Sequence, residues 1–182
     1  MSKLPNRING SLDTRRYLLE ATPSKDSEYL ERSERCRNEA DSFEKIVRFC
    51  LEYHSRDFFG EHSIVANAAF ACELYMKALL FLERKNIKGH DLANLYNYLS
   101  SENQRLLATG HPCSNIRREH FENELHDIGM AFEAYRYMYE YTGILGINYQ
   151  FLLELLMTLK SVTRGKPRSA SEEEAQGTGT GT

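Results

Sequence analysis

The sequence predicts an all-α protein, an antiparallel bundle of about five helices. Three observations carry that reading. Apolar residues recur at spacings of three and four in every long segment, the period of one helix face rather than of a strand. No stretch alternates apolar and polar residues between hairpin turns, and no repeat of 20 to 50 residues is visible. Finally, the run Ala68–Leu82 carries only Glu73 and Lys77 as charges. At about 100° per residue, Phe70, Leu74 and Phe81 fall on one side and Tyr75, Leu79 and Leu82 on the other. A helix apolar on most of its circumference is the centre of a bundle.

Composition sets the frame. The chain has 182 residues, 41% hydrophobic and 27% charged, which suits one globular domain with a real core. A net charge of −3 argues against a surface built to coat nucleic acid, though not against a local basic groove. Cys36, Cys50, Cys72 and Cys113 form no CxxC pair, so reduced thiols are expected. The N-terminus has no signal-like apolar run and no segment reads as a membrane span, so a cytoplasmic protein is expected.

In chain order, residues 1–25 read as a polar arm punctuated by Pro5, Gly10 and Pro23. From Asp26 an amphipathic helix runs through Cys36, Ala40, Phe43, Val47 and Leu51, and Phe58, Phe59 and Gly60 are expected to end it. Ser63 is the expected N-cap of the central helix and Gly89 its C-terminal stop. Asp91 caps the next helix, with Leu92, Leu95, Tyr96 and Leu99 facing inward. Ser101-x-x-Gln104 has the pattern of a capping box opening a short helix that stops at Gly110. A long helix follows over about Asn115–Tyr141, with Phe121, Leu125, Ile128, Phe132, Tyr135 and Tyr139 on one face. Asn148 caps a last helix carrying Phe151, Leu152, Leu155, Leu156 and Leu159. The bundle is thus read as residues 26–163, and 164–182, rich in charge, Ser and Gly, as a disordered tail.

Glu73 and Lys77, spaced i and i+4, form a charged stripe that Arg84 extends. Arg136 lies about 40° from Phe132 on the wheel, at the flank of an apolar face and one turn before Glu140. A charge there needs a partner or a cleft. Either it pairs with Glu73 or Glu140, or it forms with Lys77 a cationic site for phosphate or RNA backbone, with Tyr137, Tyr139 and Tyr141 as stacking surfaces. His90 opens a helix after Gly89, and the simpler role for it is to satisfy a local backbone group. His120, His126 and the acidic residues around them read as a solvated face rather than a metal site, and no cofactor-binding motif is present.

The run Ala71-Cys72-Glu73-Leu74-Tyr75-Met76-Lys77-Ala78-Leu79-Leu80, followed by Gly89-His90-Asp91-Leu92 and later by Phe132-Glu133-Ala134-Tyr135-Arg136, resembles the HEPN domain over roughly residues 41–161. The resemblance implies an antiparallel bundle that pairs as a homodimer. It also implies metal-independent endoribonuclease activity or non-catalytic RNA or nucleotide binding, in prokaryotic defence or stress systems, with an antitoxin or nucleotidyltransferase partner. Active members carry Arg-x4–6-His on a late helix, and Arg136 occupies the arginine's place. Tyr141, Thr142 and Gly143 stand where the histidine would follow. The sequence reading is therefore a binding and interaction module with Glu73, Lys77, His90, Arg136, Tyr137 and Glu140 around its cleft. The alternatives are an endoribonuclease of atypical constellation, using Arg136 and His90, and a purely structural bundle.

Overall fold

The computed structural model describes residues 25–53, 58–110, 118–136 and 147–165, with side chains described for all of these except 58–61, 118–119 and 131–136. Among the described residues there are six helices and no strand, so the all-α reading holds. They are α1 (Lys25–Tyr53), α2 (Phe58–Leu82), α3 (Leu92–Tyr98), α4 (Ser101–Gly110), α5 (Arg118–Arg136) and α6 (Tyr149–Arg164).

Helix α2 is the hub. It packs against α1, α3, α5 and α6, and Ala71, Cys72, Tyr75, Met76 and Leu79 are sealed from solvent. By length and hydropathy, His62–Leu82 is also a segment that could cross a bilayer, contrary to the sequence reading, but 72% of it is buried inside the bundle. Its apolar surface is spent on neighbouring helices.

Helix α1 runs antiparallel to α2. Tyr29 meets Phe81 (ring centroids 6.4 Å apart), Phe43 meets Phe70 edge-on at 4.7 Å, and the Ser33 hydroxyl donates to the Ala78 carbonyl at 2.9 Å. Residues 33, 37, 40, 44 and 47 are the buried ones, a spacing that keeps one narrow seam on the partner helix. Phe121 joins α5 to the core by packing on Tyr96 and Phe151, both at 5.3 Å.

Helix termini differ from expectation in three places. Phe58, Phe59 and Gly60 begin α2 instead of ending α1, which places Ser63 inside the helix. The stop after α2 comes at Arg84, not Gly89. Arg84 takes a left-handed φ of 58°, with Arg84 N–H donating to Phe81 and Lys85 N–H to Leu80, the hydrogen-bond pair of a Schellman ending. Ser100, not Ser101, caps α4: its hydroxyl accepts from Asn103 N–H, while Gln104 reaches back to the carbonyls of Tyr96, Asn97 and Leu99. Asp91 and Asn148 cap α3 and α6 as the sequence indicated. The expected N-terminal arm, the tail from 166 and the expected continuation of the long helix past Arg136 lie outside the described residues.

Candidate functional site

The spacing of Glu73 and Lys77 puts both side chains on one face of α2, and Lys77 Nζ donates to Glu73 Oε1 at 2.6 Å. A third group completes the cluster. His90 Nδ1 lies 3.0 Å from each Glu73 oxygen. The carboxylate is only 2% exposed, Lys77 20% and His90 50%, so a buried anion is held from one side by an ammonium and from the solvent side by an imidazole. With the carboxylate as acceptor, Nδ1 is the ring nitrogen that donates.

The sequence reading gave His90 a local role at its own turn; its imidazole also reaches a side chain 17 residues away. Three devices bring the ring there. Gly89 adopts φ of 110°, open to glycine and strained for other residues. Asp91 accepts from Ala93 and Asn94 N–H, which fixes the start of α3 directly after His90. On the other side, Gly129 of α5 lets the turn approach closely: a Cβ there would sit 3.2 Å from Leu92 N and 3.3 Å from Asp91 Cα. His126, one turn before Gly129, holds Nδ1 3.6 Å from Asp91 Oδ2.

Arg136 is the last residue of α5, two turns beyond Gly129. Its side chain, together with Tyr137, Glu140 and the positions after them, lies outside the described residues. The structure therefore brings together Glu73, Lys77 and His90 of the six candidates. Arg84, read as an extension of the stripe, is instead exposed and paired with Asp26 at 3.0 Å.

Thiol chemistry is disfavoured nearby. Burial, with the negative charges of Glu39 and Glu73, pushes the Cys36 thiol up despite Lys77 and Arg35, and burial alone raises that of Cys72. Both stay protonated and are poor nucleophiles. Among the described residues, no three His, Cys, Asp or Glu side chains converge as a metal site would require. What the arrangement offers is a cation held in place, an oriented imidazole and a carboxylate that holds both.

No family model, curated protein or solved structure matches the chain.

Two polar clusters went unnoticed in the sequence. Glu83, just past α2, accepts from Ser100 N–H at 2.9 Å, Asn103 Nδ2 at 2.6 Å and Lys85 Nζ at 2.8 Å, tying the start of α4 to the end of α2. Along α1 and α6, Glu44 faces Lys160 at 2.7 Å and Arg48 at 3.0 Å, and Asp41 accepts from the Tyr75 hydroxyl at 2.5 Å. Neither cation is well aligned for a hydrogen bond to Glu44, so its carboxylate is held by charge. Between elements these partners are 17 to 116 residues apart in sequence, beyond the reach of helical-wheel reasoning.

Proposed function

We propose that the chain is a HEPN-like RNA- or nucleotide-binding module working as a homodimer, with Glu73, Lys77 and His90 as the described part of its cleft and Arg136 as a second phosphate contact. The observation that carries this reading is the buried Glu73 carboxylate gripped by Lys77 and by a half-exposed His90. Such a carboxylate fixes two donors at the surface of an otherwise apolar hub helix. A structural ion pair alone does not need the second, solvent-facing partner.

RNA phosphates would meet Lys77 and Arg136, so binding should fall with salt. In a filter-binding assay with single-stranded RNA, Lys77→Ala and Arg136→Ala should each weaken retention across sequences. Each should also lower the slope of log affinity against log salt by about 1. Absence of retention at low salt, or variants indistinguishable from the parent, would overturn the reading.

One observation favours a second reading, a metal-independent endoribonuclease. An imidazole oriented through Nδ1 by a buried carboxylate is the arrangement of a general base. Cleavage of RNA in the presence of a chelator, lost in His90→Ala, would select this reading over simple binding.

A further inference from the structure

Helix α1 leaves an apolar stripe exposed on the side away from the bundle. Ile46, Phe49 and Tyr53 are 43%, 55% and 64% exposed, and the two rings touch, with centroids 4.8 Å apart. At about 100° per residue the three lie within about 60° of one another, opposite the buried positions Ala40, Glu44 and Val47. Single exposed apolar residues are ordinary, but two rings and an isoleucine on consecutive turns form a contiguous patch of the kind that marks an interaction surface.

The charges beside the stripe indicate what covers it. Lys45 and Glu52 lie within about 20° of each other on one flank. Both are exposed, and a separation of seven residues, about 10 Å of helix rise, keeps them from meeting within one chain. The opposite charges one turn before them are engaged elsewhere: Asp41 with the Tyr75 hydroxyl and Arg164, Arg48 with Glu44. In the first half of the helix the charges pair internally, Glu28 with Arg32 and Glu31 with Arg35. A second α1 laid antiparallel about a two-fold axis at Phe49 brings the same flank of both helices together. Lys45 then meets Glu52 of the second copy and Glu52 meets its Lys45, twice by symmetry. Phe49 meets its own copy, and Ile46 lies beside Tyr53. A parallel pair sets opposite flanks together and keeps Lys45 from Glu52. With about half of each exposed, the three apolar side chains offer roughly 300 Å², over a third of the ~800 Å² that each partner of a stable interface covers. The remainder falls to the flanks as a polar, charged rim, the composition such interfaces have.

We propose that α1 pairs antiparallel with α1 of a second copy of this chain through Ile46, Phe49 and Tyr53, with Lys45 and Glu52 matched along the flank. This names the interface of the homodimer proposed above and rests on that part of the reading, not on RNA binding. It also separates the contact from the cleft. Cys36, close enough to Glu73 and Lys77 to feel both charges, precedes Phe49 by 13 residues, about 20 Å along the axis. The Glu73 cluster of each copy therefore lies well away from the two-fold axis.

The test is the mass of the full chain in solution by sedimentation equilibrium, with circular dichroism reporting the helicity of every variant. The parent should be a dimer. Phe49→Glu sets two like charges at the axis and should weaken association about 30-fold or more. Lys45→Glu and Glu52→Lys each turn two attractive contacts into repulsive ones, and each should weaken it about tenfold. The double variant Lys45→Glu, Glu52→Lys restores both contacts in the antiparallel pair and should recover the parental constant to within about threefold. Arg35→Gln, in the polar half of the same face, should change nothing. The charge variants alter exposed side chains only, so they test the pairing even if Phe49→Glu fails to fold. Association unmoved by Phe49→Glu and by the single charge variants would overturn this interface and leave the homodimer to another face. A monomeric parent would overturn both. A double variant no better than the singles would overturn the antiparallel pairing. If Phe49→Glu lowers RNA retention while the mass stays that of the parent, the rings stack on nucleobases and the proposal falls.

Discussion

Glu73 and Glu83 are both carboxylates at the polar edge of α2, and their surroundings give them different tasks. Glu73 holds donors that face outward, whereas Glu83 is spent on architecture. Burial would raise the Glu83 pKa, but donation from Lys85, Ser100 and Asn103 outweighs it and holds the carboxyl below its usual range. A group depressed in the folded state stabilises the fold above its unfolded pKa of about 4.3, and that contribution is lost as pH falls through the folded value. Glu83→Gln should therefore cost about 1–3 kcal/mol at pH 7, and the gap between parent and variant should close as urea titrations are taken below about pH 4. A gap independent of pH would mean that shape, not charge, holds the α4 start. Helical spacing alone marked Glu73 and Lys77 as neighbours. It could not reveal His90 as their partner or the donors on Glu83, because loop geometry sets those contacts.

At the scale of elements, the helices themselves were legible because each carries a sustained apolar period, and the Asp91 and Asn148 caps were legible because a single side chain suffices to make them. The other termini were less so. The α2 stop falls on Arg84, a residue type that gives no stop signal, since the Schellman hydrogen bonds and not the side chain define it. The contact between α5 and the His90–Leu92 turn was also hidden, as a mid-helix glycine reads as a weakness until its neighbour is known. Here Gly129 leaves room for the turn's backbone, which a Cβ would meet at 3.2 Å. Gly129→Ala is a good helix substitution by propensity, worth about 1 kcal/mol in an exposed helix. The added methyl would meet backbone at 3.2 and 3.3 Å, which cannot rotate away. The net expectation is a loss of about 1–3 kcal/mol, accompanied by a changed His90 ring environment in NMR. A stabilised variant with an unmoved His90 signal would show that the turn yields freely.

For the whole molecule, the deciding feature is that one helix serves four others. Because α2 packs against α1, α3, α5 and α6, the core is continuous: Val47 of α1, Leu79 of α2, Leu95 of α3, Leu125 of α5 and Leu155 of α6 belong to one buried cluster. Every helix except α4, which packs on α6, buries part of its face on α2, so the bundle should not survive the loss of α2. Leu79→Ala tests this directly. The side chain is fully buried, and its truncation should cost about 2–5 kcal/mol. If the core is one unit, the penalty appears as a shift of a single transition, with the denaturant slope unchanged and the calorimetric enthalpy equal to the van't Hoff value. Were the α3–α4 hairpin to unfold separately, the variant would split the transition in two. Such a split would also loosen the turn that carries His90, and under the RNA-binding function proposed above RNA retention would then fall at temperatures where α1, α2 and α6 remain folded. Coincident loss of helicity and of RNA retention is the outcome expected of a site built on the hub itself.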